Sequence, residues 1–154
     1  MVSKYVKDAK GKSYKITLDN DLEFLWPYIM QAKKLGVPIW NIRKVVGYWV
    51  SPEKIENQRA QIIKPHHAKK YTITLLKKIQ NHTVISYNDK SKEVVTSYTD
   101  ALDVVGLEDT LHSFAHEIAH IVHWYHTPEH LILTARLFLS FVRKAKQRGY
   151  KGYE

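Results

Sequence analysis

The amino-acid sequence predicts an α+β fold, a small antiparallel or mixed sheet packed on one central helix with further helices around it. Three observations lead there. Residues 83–87 (TVISY) and 93–98 (EVVTSY) are β-branched runs flanking a turn-rich loop, the pattern of a β-hairpin. Residues 107–123 carry apolar side chains at helical spacing, opened by Gly106-Leu107-Glu108-Asp109 with two carboxylates where the helix dipole favours them. Ser51-Pro52-Glu53 and Thr127-Pro128-Glu129 each place a cap, a proline and an acid in the order that starts a helix.

In chain order, residues 1–12 hold Lys4, Lys7, Lys10 and Lys12 around Gly11 with little apolar content, and read as a flexible basic arm. Residues 13–154 then form one domain. Residues 13–18 (SYKITL) alternate and are β-prone. Asp19-Asn20-Asp21 supplies cap chemistry for a helix to about Leu35, stopped by Gly36 with Pro38 beyond, and Pro27 shifts or kinks its start. Residues 39–50 are aromatic and apolar, equally a short helix or a strand interrupted at Gly47. The helix opened at Ser51 runs to about Ile63 and is broken by Lys64-Pro65-His66-His67. Residues 99–105 connect the hairpin to the central helix, and the last helix runs from Pro128 to about Arg148 before Gly149.

A chain of 154 residues suits a single core, and 44% hydrophobic with 25% charged residues is a globular composition. Without cysteine, disulfides, thiolate metal sites and cysteine nucleophiles are excluded. The first residues lack the apolar core of a signal peptide and no run reaches transmembrane length, so a cytoplasmic protein with no membrane partner is expected. A net charge of +9 favours polyanions, nucleic acid first and acidic membrane second. The densest basic stretch, from Lys64 to Lys78, holds five lysines and no acid. Lys64, Lys69, Lys70, Lys77 and Lys78 are therefore the candidate nucleic-acid contacts, with an ordinary solvated face as the alternative.

The chemistry concentrates in His116-Glu117-Ile118-Ala119-His120, an H-E-x-x-H run within the central helix. Stepping about 100° per residue, Leu111, Ala115, Ile118 and Val122 form a core stripe, and His112, His116, His120 and His123 fall roughly 140° away. Histidines four apart sit one turn above each other and can hold one metal ion, with the intervening glutamate placed to take a proton from metal-bound water. His112 and His120, or His116 and His123, are about 10–12 Å apart along the axis and cannot share an ion whose Zn–N bonds are about 2.0–2.1 Å. A third ligand must come from beyond the helix. Pro128 disfavours helix at Thr127, so His126 can swing back over the cleft; Glu129 and His130 are the alternatives. Tyr125 and His123 are candidate transition-state donors, while Leu131, Ala135, Phe138 and Val142 read as the core face of the last helix.

His116-Glu117-x-x-His120-x₅-His126 has the span of the metzincin motif H-E-x-x-H-x-x-G-x-x-H, with His123 where the glycine would stand. It more closely resembles the SprT/Spartan-like and WLM metalloproteases, in which a third zinc histidine follows the H-E-x-x-H helix. The WLM pattern is similar to residues 116–126, and the SprT-like G-H-G-P-E-F run is similar to residues 125–130 (YHTPEH). The resemblance covers about residues 108–137. It implies a zincin-like fold, a Zn²⁺ cofactor held by His116, His120 and His126, Glu117 as catalytic base, and metalloendopeptidase activity on a protein or peptide substrate. It also implies an edge strand along which the substrate pairs, for which residues 93–98 are the nearest candidate. Charge and resemblance together point to nucleic-acid-associated proteins as substrates, with DNA as a partner. A gluzincin-like arrangement would instead use Glu129 as third ligand. The alternative of a different class is a basic nucleic-acid-binding domain with a structural metal and no catalysis.

Overall fold

A computed structural model describes residues 1–50, 60–63, 70–87 and 91–151. The described residues form an α+β structure with a six-stranded mixed sheet and three α-helices. The strands are β1 (Val2–Lys7), β2 (Ser13–Leu18), β3 (Ile42–Val50), β4 (Ala60–Ile63), β5 (Tyr71–Tyr87) and β6 (Ser91–Asp100). The helices are α1 (Trp26–Lys34), α2 (Ala101–Ala119) and α3 (Pro128–Gln147). The sheet order is β1-β2-β3-β5-β4, with β6 also on β5. The pairs β2–β3 and β3–β5 are parallel, and β1–β2, β4–β5 and β5–β6 antiparallel.

The basic arm expected at residues 1–12 is instead largely a strand. Residues 2–7 pair with β2 from Val2 opposite Leu18 to Lys7 opposite Ser13, and Val6 enters the core. The turn is local chemistry. The Asp8 carboxylate accepts from the Lys10 and Lys12 N–H groups, both at 2.9 Å, and Gly11 takes φ +82°. Pairing buries Val6; Lys7 points to the opposite, exposed face, and Lys4, on the same face as Val6, is half-buried with its ammonium 3.1 Å from the Glu23 carboxylate.

Pro27 resolves the next segment. Residues Asn20–Leu25 form a 3₁₀ helix capped by the Asp19 carboxylate, and α1 begins at Trp26 with Pro27 in its first turn. Residues 39–50 are mostly strand. A 3₁₀ turn (Ile39–Asn41) leads into β3, which pairs through Gly47. A Cβ on Gly47 would collide with the Lys77 side chain, 2.6 Å from its Cβ, so glycine here buys close approach. That ammonium is held by Asp19 at 3.1 and 3.2 Å and by Asp21 at 2.6 Å.

Of the helix expected from Ser51 to Ile63, residues 51–59 lie outside the described residues, and 60–63 form β4. The alternation of Ala60 and Ile62 toward the interior with Gln61 and Ile63 exposed suits a strand. The hairpin is present but longer than its β-branched runs, with Lys78 to Tyr87 opposite Asp100 to Ser91; residues 88–90 of its loop lie outside the described residues. Helix begins earlier than expected, at Ala101 behind the Asp100 cap, and Gly106 (φ 84°, ψ 162°) breaks it before the central segment.

The core lies between the sheet and the helices, with Ile16, Leu18, Ile42, Val45, Ile73 and Leu75 meeting Ile29, Phe114, Ile118 and Phe141. Two corrections follow from the helix faces. Val122 is 45% exposed, because α2 ends at Ala119 and the stripe does not continue through the turn beyond it. On α3 the buried residues are His130, Leu133, Thr134, Leu137, Phe141 and Ala145, whereas Leu131 and Ala135 face solvent. Apolar residues extend too far round α3 for periodicity to choose its inner face.

A histidine-lined candidate metal centre

Helix α2 packs on β4, β5 and α3, so its last turn is buried on one side and open to a cleft on the other. The cleft has a volume of about 300 Å³ and is lined by Ala60, Gln61 and Ile62 of β4, by His116, Glu117 and His120, and by Trp124 and His126. Strand β4, rather than residues 93–98, therefore flanks the site. The reason is topological: β6 pairs with the second half of β5, and β4 with the first half, beside α2.

The chain reverses after α2. The His123 N–H donates to the Ala119 carbonyl at 2.9 Å, and the Thr127 side chain accepts from the His130 N–H at 3.2 Å to start α3. Between these two caps the loop carries His126 back over the helix end. Tyr71, at the start of β5, sets its ring 5.8 Å from that of Trp124 and braces the loop.

Three ring nitrogens meet there. His116 Nε2 lies 3.3 Å from His120 Nε2 and 3.2 Å from His126 Nε2. Two nitrogens bound at about 2.0–2.1 Å to one tetrahedral zinc are separated by about 3.3 Å, so both spacings suit a shared ion. A single ring proton on His116 could serve only one of the two contacts, whereas a cation satisfies every lone pair. His120 is held in the needed tautomer: its Nδ1–H donates to the Trp124 carbonyl at 2.8 Å, with the His123 carbonyl at 3.2 Å, leaving Nε2 as the lone-pair nitrogen.

His130 belongs to the same group. His116, His120 and His130 bring their potential ligand atoms within 4.8 Å of one another and could hold a metal ion. His130 is 2% exposed, and its Nε2–H donates to the His116 carbonyl at 3.0 Å. Its ring stacks on His120, centroids 4.1 Å apart and planes 29° apart. With Nε2–H donating to a carbonyl, His130 keeps Nδ1 as its lone-pair nitrogen, so His126, through its approach to His116, and His130, through its place in this group, are both candidates for the third ligand.

The electrostatics suit the same use. Burial, followed by the charges of His130, His120, His126 and His112, lowers the His116 pKa to about 4. Burial and the charge of His130 likewise hold His120 below the usual imidazole value. Neutral imidazoles are the form that binds metal. Glu117 is 7% exposed, and burial raises its carboxyl from 4.5 to about 7.

Other candidates fall elsewhere. Glu129 and His123 line a second cleft with Val37, Ile132 and Arg136, away from the converging nitrogens. Tyr125 is 77% exposed. Tyr48 on β3 had no sequence signal, yet it is near enough for the Glu117 charge to add to burial in raising its hydroxyl to about 12. Among the candidate nucleic-acid contacts, Lys64 and Lys69 lie outside the described residues. Lys70 donates to the Trp40 carbonyl at 3.2 Å and sits 4.2 Å from the Tyr14 ring, Lys77 is spent on Asp19 and Asp21, and Lys78 is exposed.

The chain matches no protein-family model, no curated protein and no solved structure.

Proposed function

We propose that the protein is a zinc-dependent metallopeptidase of zincin-like design, with His116, His120 and His126 holding the metal and Glu117 acting as the base. The observation that carries this reading is the approach of the His116, His120 and His126 Nε2 atoms beside the buried Glu117, in a cleft edged by a strand. The donor set fits zinc, being all imidazole with a spacing that suits tetrahedral bonds. A bound zinc ion would supply Lewis acidity, polarising a scissile carbonyl and acidifying a water.

The chain's own residues do the rest. Glu117, whose buried carboxyl binds a proton more tightly than an ordinary carboxylate, accepts one from the attacking water and returns it to the leaving amine. The Trp124 and His123 carbonyls orient His120, and His130 anchors the His116 backbone. Among the described residues β4 pairs with β5 alone, and an extended peptide would add along its other edge, with Ala60, Gln61 and Ile62 lining the cleft. Nucleic-acid-associated proteins as substrates rest on the net charge.

The test is Glu117→Gln. Zinc content should stay at the wild-type level while peptide hydrolysis falls by about 10²–10⁴-fold; hydrolysis at the wild-type rate would overturn the assignment.

A second reading has one observation in its favour. His130 is a fourth imidazole in the cluster, and four nitrogens would close the coordination sphere as a structural site does. The protein would then be a basic nucleic-acid-binding domain without turnover. X-ray absorption of the zinc-loaded protein separates the two readings, with three nitrogens and an oxygen for the peptidase and four nitrogens for the structural site.

A further inference from the structure

The outward face of α3 carries an apolar stripe that the core does not use. At about 100° per residue, Leu131, Ile132, Ala135 and Leu139 fall within an arc of roughly 100°, opposite the buried His130, Leu133, Leu137 and Phe141. Leu131 is 69% exposed, Ile132 60% and Leu139 62%. A solvent-facing helix surface is ordinarily charged or polar, and clustered large aliphatics mark a contact surface. Cations accompany the stripe. Arg136 and Arg143 lie along one edge of it and Lys146 extends it, all exposed, while the one acid of the helix, Glu129, sits at its start.

We propose that this face of α3 docks in the plane of an anionic lipid bilayer. Leu131, Ile132 and Leu139 enter the boundary between headgroups and acyl chains, and Arg136, Arg143 and Lys146 meet lipid phosphates. Exposed Tyr125, in the loop entering α3, is a residue type at home in the headgroup layer. Aliphatic and cationic groups together select this occupant. Nucleic acid would use the cations and leave the leucines in water, and a second copy would set cation against cation on a chain of net charge +9. No helix among the described residues is long and apolar enough to cross a membrane, and an in-plane contact needs none. The sequence-based expectation of no membrane partner rests on that same lack of a spanning run, which does not bear on surface docking. The proposal is independent of the catalytic reading.

Vesicle flotation of the full chain tests it, comparing phosphatidylcholine mixed with phosphatidylserine against phosphatidylcholine alone. Binding should be about tenfold or more stronger to the mixed vesicles and should weaken with salt. The double variant Leu131→Ser, Leu139→Ser should lose about tenfold or more of that binding, and Arg136→Ala with Arg143→Ala a similar amount. All four positions are exposed, so unchanged unfolding midpoints would show that the fold is kept. Absence of vesicle binding, equal binding to neutral vesicles, or retention by the leucine variant overturns the proposal. So does a leucine variant whose only change is from dimer to monomer, or DNA binding that needs the arginines but not the leucines and occurs without vesicle binding.

Discussion

His126 Nε2 lies 3.2 Å from His116 Nε2, although ten residues and the end of a helix separate them. The approach depends on the loop between the Ala119 carbonyl and the Thr127 cap, and it makes the third metal ligand a question that mutation can answer.

His126→Ala should lower zinc affinity at least about tenfold, the usual cost of losing a shaping group at a metal site, and leave the unfolding midpoint of the chelated protein unchanged, since the ring is exposed. His130→Ala should instead lower stability by about 1–3 kcal/mol, because it leaves a cavity and unpairs the His116 carbonyl. Calorimetric titration with zinc, paired with urea unfolding in chelator, separates the two. The opposite pattern would assign His130 as ligand.

Zinc binding should persist to lower pH than it would at ordinary imidazoles. His116 stays neutral in the folded chain down to about pH 4, against 6.5 for a free imidazole, so proton competition sets in late. Zinc retention followed by dialysis between pH 4 and pH 7 checks this. Complete loss near the free imidazole value would refute it.

Glu117 and His116 should pull stability in opposite directions with pH when zinc is removed by chelation. The Glu117 pKa is raised in the folded chain, from 4.5 to about 7, so its contribution is full below pH 4.5 and lost as pH rises through about 7. The His116 pKa is lowered, so its contribution is full above pH 6.5 and lost as pH falls toward 4. Glu117→Gln should therefore match the parent near pH 4 and exceed it above pH 7. Unfolding midpoints across that range are the measurement, and parallel profiles would count against a buried Glu117.

Gly47→Ala should destabilise the protein by about 1–3 kcal/mol, the range for overpacking. The added methyl would meet the Lys77 side chain and disturb its contacts to Asp19 and Asp21. A urea midpoint equal to that of the parent would show that Lys77 moves aside freely.

Asp19→Ala should cost about 1–2 kcal/mol, the range for a lost helix cap. The carboxylate receives the Asp21 and Gly47 N–H groups as well as Lys77. Burial pushes its pKa up, but Lys77 and the two N–H groups outweigh that and hold it below 3.8, so the contribution is lost only as pH falls below that value. Since Lys77 is engaged here, Lys77→Ala should lower stability while leaving any DNA affinity measured by fluorescence anisotropy unchanged.

Local features are legible in the amino-acid sequence alone. Asp19, Pro27, Gly36, Thr127 and Pro128 mark helix ends through backbone and cap chemistry that acts within a few residues. The spacing of His116, Glu117 and His120 on one helix is likewise a local property. Tertiary structure decided what local rules cannot reach. Residues 2–7 form a strand because β2 offers them a partner, and residues 60–63 form β4 because β5 extends far enough to pair with both β4 and β6. The inner face of α3, the isolation of Glu129 in the second cleft, the pairing of Lys77 and the stacking of His130 on His120 depend on which surfaces meet. Such meetings are set by burial and backbone hydrogen bonding across long sequence separations, and no window of the chain contains both sides of them.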